Sequence, residues 1–332
     1  MSEIISNLYL SVLFFFALSA FTLAHSDRVA PTTYRAYLVK RVFRIAPLFY
    51  LILAWNLSRI DFPDISLLLA NVFFLFNLIP GWEQSLVWAG WSVGVEMPAY
   101  VVLPLLFVIC STVTRALIAF IIGTVVSVIC WWLFDGAALL PRYYAYFFVG
   151  ANLCWFLAGI LAYRLFKHLS VRKIKHGSSF VAIATLAFIA FAYFDPLSIH
   201  YRSPAAYFAT WALAFALACT WQAMSPARVL GSRPMQWLGD RSFSIYLFHP
   251  IVIELTKPIY ATISDVVGVG TLGAYLACLG ITLPILFVLA GLSYRLVEIP
   301  GIALGRRISA HLSRAPQDRQ SEHLEDLKTR GG

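Results

Sequence analysis

An acidic residue stands inside a stretch of the chain that is otherwise apolar enough to enter lipid. Glu96 closes the run Trp91–Glu96, and residues 97–106 that follow it carry no charged side chain. A charged group at the centre of a bilayer costs about 2.5–3.5 kcal/mol, so it usually faces protein or a water-filled cavity and marks function. The alternative is a glutamate that lies free in the headgroup region, and this segment alone leaves both open.

Three basic residues at the start of another apolar run could bind an anion. Arg41 and Arg44 are three residues apart and Lys40 and Arg44 are four apart, so on a helix they share one face. Like charges on one face repel unless an anion lies among them, and guanidinium groups bind phosphates in a bidentate fork. The alternative is a topology signal or a contact with anionic lipid. Pro47 would kink this helix, which is easier to accommodate beside a cavity.

One histidine lies in the interior of a predicted span. His249 is six residues beyond Phe243, which corresponds to about 9 Å of helix rise. A hydrogen-bonded neutral histidine costs little in a span, so a structural and a catalytic role are both open. Glu254 and Lys257 follow on the same span and are three residues apart, at which spacing they can form an ion pair.

A last cluster lies at the exit of the final apolar run. Arg295 and Glu298 are three residues apart and could bridge one helical turn. Pro300 then ends the helix. This spacing favours a structural cap on the helix bundle.

The composition is that of a polytopic membrane protein. Of the 332 residues, 60% are hydrophobic and only 12% are charged, whereas soluble domains carry about 25% charged residues. All five cysteines lie within apolar runs and form no close pairs, so we expect no metal site and no disulfide framework. The net charge of +9 is interpreted as a signal of membrane orientation, and no nucleic-acid partner is expected.

The elements that must position these residues are membrane-spanning helices of about 17–25 residues. We predict an all-α, polytopic integral membrane helix bundle with about nine spans and a polar cytoplasmic tail, partly disordered, over residues 306–332. The predicted spans are 4–25, 43–58, 97–113, 116–134, 143–165, 178–194, 205–223, 243–263 and 271–293.

A tenth apolar stretch is too short to cross. Ile65–Pro80 would extend about 24 Å as a helix, and Pro80-Gly81 breaks it. If this stretch does not cross, most of the 25 basic residues fall on one face, as the positive-inside rule requires. Irregular backbone at membrane depth must be covered by protein or water, so we predict a re-entrant segment near 65–96 that roofs a cavity. The first residue is then outside the cell (inner) membrane, and the C-terminus is cytoplasmic.

Taken together and in order, these segments resemble the acyltransferase-3 family of membrane O-acyltransferases. The resemblance covers about residues 8–305, which we interpret as one acyltransferase-3-like transmembrane domain over 1–305. The family patterns "FFxLSGF", "RRxxRIxPxY", "WSLSVExxFYLLLP", "SYSIYLxHxP" and "IExP" correspond here to Phe14–Phe21, Lys40–Tyr50, Trp91–Pro104, Ser242–Pro250 and Val297–Pro300. In the first of them, Ala20 stands where the family pattern has glycine, a mild change for close helix packing.

The resemblance implies transfer of an acyl group, with acetyl as the expected one, from acyl-CoA on the cytoplasmic side. The implied acceptor is a hydroxyl of a cell-surface or exported carbohydrate or another exported molecule, as in O-acetylation during polysaccharide modification. By the same resemblance Lys40, Arg41 and Arg44 would hold the phosphates of the donor. Glu96 would shape the acceptor site or orient the transfer, and His249 would line the cavity.

The chain departs from the family pattern at its start. Family members open with a further span bearing "RGxAxLxVxxxH", whose histidine is thought to be the general base. No residue in 1–25 matches that histidine, and His25 lies at the wrong end of its span. The sequence looks as though it lacks the first family helix, which a truncated gene start would explain. Otherwise His249 or Glu96 must serve as the base, or the protein is not catalytic.

Two other functions stay open at this point. A transporter of an anionic lipid or glycan would also contain buried charges and broken spans, although the sequence shows no internal repeat. A non-catalytic relative that assists a partner enzyme would explain the missing opening helix. The acceptor, the acyl chain length and the oligomeric state do not follow from the sequence.

Overall fold

The computed structural model describes residues 10–29, 33–134, 144–172, 177–194 and 204–313. Within these ranges the chain is helical and forms no β-strand, so the predicted all-α class is confirmed. The helices are α1 (Leu10–Val29), α2 (Tyr34–Leu57), α3 (Ile65–Val72), α4 (Trp91–Ile109), α5 (Val113–Phe134), α6 (Tyr144–Phe147), α7 (Leu153–Arg172), α8 (Gly177–Phe194), α9 (Pro204–Met224), α10 (Arg233–Asp240), α11 (Ser242–Val267), α12 (Leu272–Ser293) and α13 (299–313).

Three helical stretches in the described part of the chain are long and apolar enough to cross a membrane. They are Trp88–Ile109, Val113–Phe134 and Leu272–Ser313. Other helices of similar length carry polar groups; α2, for example, contains Arg35, Lys40, Arg41 and Arg44 within its 24 residues. The number of nine spans therefore stays a prediction.

The segment predicted to be re-entrant is not one continuous helix. α3 has only 8 residues, which extend about 12 Å, far less than a hydrocarbon core of about 30 Å. Beyond it, Phe74 and Ser85 adopt left-handed backbone conformations with φ of 58° and 67°. Asp64 caps the start of α3: the Ser66 hydroxyl and backbone N–H both donate to its carboxylate and lower its pKa.

The described helices group into two compact units. The first contains α1, the stretch Leu69–Gln84 and α4 to α9; the second contains α2, the stretch Ser85–Gly90 and α10 to α13. Residues 306–313, which the sequence assigns to a polar tail, continue α13, and Pro300 lies near the start of that helix and does not end the preceding one as expected. The rest of the predicted tail, 314–332, lies outside the described residues.

In the first unit α7 is the central helix. Its side chains are almost all buried up to Arg164, and it packs against α1, α5 and α9. Gly159 permits the closest approach, since a Cβ there would lie 2.0 Å from the carbonyl oxygen of Ala17 on α1. Ala20 is fully buried at this same contact. Small residues let helix backbones meet in this way, and glycine on α7 accommodates the alanine on α1.

In the second unit two glycines seat α13 on α2. Gly301 and Gly305 are four residues apart and face Pro47 and Phe43, which are also four apart. A Cβ at Gly301 would lie 2.9 Å from the Phe43 carbonyl oxygen, and one at Gly305 would lie 2.6 Å from the Phe43 Cβ. This glycine pair brings the segment after α12 directly onto the helix that carries the predicted donor-binding residues.

A matched pair of glycine variants tests the helix contacts. Gly159→Ala is expected to lower the free energy of unfolding by about 1–3 kcal/mol, because the added methyl group overlaps the α1 backbone. Gly280→Ala on α12 meets nothing within 4 Å and should be neutral or slightly stabilising, because alanine favours helix over glycine. Thermal unfolding in detergent, followed by tryptophan fluorescence, measures both. Equal stability of the two variants would contradict the packing assigned to Gly159.

Candidate functional site

The predicted site residues are divided between the two units. Glu96 belongs to the first unit, whereas Lys40, Arg41, Arg44 and His249 belong to the second. No group of three or more His, Cys, Asp or Glu side chains in the described ranges could hold a metal ion.

Glu96 lies inside the protein. Its side chain is 4% exposed, and its Oε1 accepts a hydrogen bond of 2.8 Å from the Tyr100 hydroxyl, one turn further along α4. That hydroxyl lies 2.9 Å from the Ser19 hydroxyl on α1. A hydrogen-bonded chain thus connects the carboxylate to a second helix, which excludes a glutamate that is free in the headgroup region. Its catalytic role stays a prediction.

The segment before α4 is fixed by Asn77, which the sequence analysis missed. Asn77 is fully buried, and its Nδ2 donates to the carbonyl oxygens of Trp91, at 2.7 Å, and Phe147, at 2.8 Å. The Tyr144 hydroxyl donates to the Asn77 carbonyl oxygen at 3.1 Å. A Cβ at Gly94 would lie 2.3 Å from Asn77 Oδ1, so this amide also requires glycine on α4. The position of Asn77 within the apolar run Ile65–Pro80 could have indicated a buried side chain that holds the backbone in place.

The three basic residues of α2 are half-buried on that helix. Arg44 lies close enough to Glu298 for their charges to attract. The Nε of Arg41 is buried and has no hydrogen-bond partner in the described part of the chain. Buried donors normally have partners, so this face of α2 offers N–H groups that an anion could satisfy.

Glu298 is the buried acid of the second unit. It is 1% exposed, and its Oε1 accepts a hydrogen bond from the Ser244 hydroxyl on α11. That hydroxyl also lies 3.0 Å from the Ser293 hydroxyl at the end of α12. Two guanidinium groups, those of Arg44 and Arg241, act on the charge of this carboxylate. Neither forms a direct ion pair with it among the described contacts.

Arg241 is held between two aromatic rings. Its guanidinium carbon lies 4.5 Å from the ring centroid of Trp237 and 4.6 Å from that of Tyr294. Nη1 donates to the Trp237 carbonyl oxygen at 3.1 Å, while Nε is buried and has no partner in the described residues. From the sequence alone, Arg241 is one of the basic residues that indicate membrane orientation and nothing more. Its place directly before the Ser242–Pro250 motif was the signal that this interpretation missed.

The predicted bridge between Arg295 and Glu298 is wrong. Arg295 is exposed, whereas Glu298 is buried and bonded to Ser244. The cause is local geometry: Tyr294–Glu298 forms a π-helical turn, in which the backbone N–H of Ile299 donates to the Tyr294 carbonyl oxygen. In an α-helix, residues three apart lie on the same face. The wider π-helical turn places Arg295 and Glu298 on different faces.

His249 lies half-buried on α11. Its Nδ1 is within hydrogen-bond distance of the Tyr246 carbonyl oxygen, and because a carbonyl only accepts, Nδ1 must carry the proton. Nε2 is then the ring nitrogen with a lone pair. Further along the helix, the predicted pair of Glu254 and Lys257 is confirmed at 2.5 Å, with both side chains about half exposed.

A cleft of about 240 Å³ opens within the second unit. It lies between the end of α2, the stretch Ser85–Gly90 and α11. Trp55 and Trp88 contribute to its walls, and Arg59 and Glu254 are its charged residues. The Arg59 guanidinium lies 5.5 Å from the Trp55 ring centroid. This cleft could not be predicted from the sequence, since its walls come from three separate segments.

Comparison with known proteins gives one match. The model of the acyltransferase-3 family, described as an acyltransferase domain, matches residues 6–291, which include the basic residues of α2, Glu96 and His249. No curated protein and no solved structure matches the chain. The family match covers most of the chain, and the protein therefore belongs to the acyltransferase-3 family.

Proposed function

We propose that the protein transfers an acyl group, expected to be acetyl, from acyl-CoA to a hydroxyl of a cell-surface or exported carbohydrate. Family membership supports acyltransferase activity. The observation that carries the donor assignment is the set of half-buried basic residues on α2, where the buried Nε of Arg41 has no partner among the described residues. An anion with several phosphates would satisfy such donors.

The proposed setting is a multi-pass inner membrane protein with about nine spans, a re-entrant segment near 65–96 and a cytoplasmic C-terminus. In this orientation the end of α2 with Lys40, Arg41 and Arg44 faces the cytoplasm, where acyl-CoA is available. The distribution of basic residues along the sequence supports it. The opposite end of α2, with Asn56 and Arg59, then faces outward.

The cleft is the proposed binding site for the acceptor. Asn56 at the cleft is 12 residues beyond Arg44 on α2, which corresponds to about 18 Å of helix rise. Sugar rings have apolar C–H faces and a rim of hydroxyls, and they match walls with tryptophan rings beside Arg59 and Glu254. An apolar cleft with a few polar groups is the usual form of a small-molecule site.

The proposed reaction uses one general base. His249 is not among the residues that line the cleft, so the reacting hydroxyl would have to extend beyond the cleft to reach Nε2, which would accept its proton while the hydroxyl oxygen attacks the thioester carbonyl carbon. The carbon–sulfur bond then breaks, and the imidazolium returns the proton to the departing thiolate of coenzyme A. Glu96 is the alternative base; otherwise it orients the acceptor.

The donor assignment predicts that Arg44→Ala strongly lowers acyl transfer in membranes when its rate is compared with the wild type at equal amounts of folded protein. Loss of one charge-assisted hydrogen bond to a phosphate should weaken donor binding by about tenfold or more. Arg35→Ala removes an exposed charge from the same helix and is the matched control. Wild-type transfer by Arg44→Ala would exclude the donor assignment.

A second pair of variants identifies the base. His249→Gln is expected to lower kcat by about 10²–10⁴-fold and to leave the KM for acyl-CoA nearly unchanged, because the base acts on the acceptor proton. Glu96→Gln should then retain a measurable kcat and change mainly the KM for the acceptor. Steady-state rates with both substrates varied measure these effects. The reverse pattern would make Glu96 the base, and a wild-type kcat in both variants would exclude both residues.

The acceptor assignment predicts that Trp88→Ala raises the KM for the carbohydrate acceptor and leaves the KM for acyl-CoA unchanged. Trp88 is 62% exposed, so its removal should affect the fold little. Trp132→Ala, at a position 77% exposed on α5, is the control for loss of a surface tryptophan. An unchanged acceptor KM in Trp88→Ala would move the acceptor site elsewhere.

A further inference from the structure

Arg241 is held more firmly than an orientation signal requires. A basic residue that only marks membrane topology can lie anywhere near the headgroups, whereas Arg241 is 9% exposed and is stacked between Trp237 and Tyr294. Its Nη1 is fixed by the Trp237 carbonyl oxygen. The two ring contacts and this hydrogen bond restrict the guanidinium group, whose buried Nε has no partner in the described residues.

The same carboxylate acts on Arg241 and Arg44. Both guanidinium groups attract the buried carboxylate of Glu298. Arg44 belongs to α2, whereas Arg241 lies directly before α11. The charge of one buried carboxylate thus stabilises positive charge on two separate elements, α2 and the residue directly before α11. The Ser244 hydroxyl holds that anion in place.

The carboxylate does not occupy the N–H groups of the two arginines. Glu298 forms no direct ion pair with either of them, and its Oε2 has no hydrogen-bond partner in the described residues. The Nε of Arg241 is likewise unpartnered within those ranges. Buried donors in such a state call for an acceptor that the described chain does not supply.

We infer that Arg241 binds a phosphate of the acyl donor beside Arg44, and that Glu298 is the positioning residue shared by the two arginines. This inference rests on the proposed function, and it extends the donor site from α2 to the connection between α10 and α11. It also gives the π-helical turn a role, since that turn directs Glu298 toward the arginines while Arg295 stays exposed.

Binding of coenzyme A, which carries the same phosphates as the donor, tests the inference on the full chain in lipid nanodiscs. Arg241→Gln is expected to raise the Kd by about tenfold or more. Arg241→Lys keeps the charge but loses the planar fork, so its Kd should lie between those of the wild type and Arg241→Gln. The control Arg295→Gln removes an exposed charge from the next segment and should change the Kd by less than about twofold.

A phosphate-free donor separates binding from a purely structural role. If Arg241 contacts phosphate, Arg241→Gln lowers kcat/KM with acetyl-CoA and leaves kcat/KM with S-acetylpantetheine unchanged. An equal loss with both donors, or an unchanged Kd for coenzyme A, would overturn the inference and leave the proposed function intact. Failure of the wild-type protein to bind coenzyme A would instead contradict the proposed function itself.

Discussion

The second unit depends on the burial of one carboxylate. An isolated buried charge is far less stable than the same charge in water, and a protein retains it only with hydrogen bonds and opposite charges around it. Glu298 has a hydrogen bond from Ser244 and the attraction of Arg44 and Arg241. These contacts join α2, α11 and the segment after α12, which are distant in sequence, so the position of the basic face on α2 follows from them.

Glycines make this arrangement sterically possible. Gly301 and Gly305 bring α13 into contact with Phe43 and Pro47, which are one residue before and three residues after Arg44 on α2. A larger residue at either glycine would push α13 away and would move Glu298 with it, because the two are continuous in the chain. The first unit uses the same device at Gly159, where α7 meets α1. The close contact between α13 and α2 therefore also determines where Glu298 lies relative to α2.

Features that depend on local spacing could be predicted from the sequence. The helical class, the ion pair of Glu254 and Lys257 and the shared face of Lys40, Arg41 and Arg44 all follow from the α-helical period. Features that depend on contacts between distant segments could not be predicted from the sequence. The partners of Asn77 are 14 and 70 residues away, and the Ser244–Glu298 bond spans 54 residues. The cleft wall likewise combines three segments that no sequence period connects.

The error at Arg295 and Glu298 shows why local spacing is a limited guide. The expected bridge assumes an α-helix, but a π-helical turn begins at Tyr294, and it moves Glu298 inward while Arg295 remains outside. Single π-turns inside helices occur frequently at functional sites because they change which side chains face the interior. The residue spacing alone does not show whether Glu298 caps the helix bundle or acts as a buried counter-charge. The π-helical conformation of the backbone decides between the two. In this chain the π-helical turn buries Glu298, where the Ser244 hydroxyl donates to its carboxylate and the charges of Arg44 and Arg241 attract it.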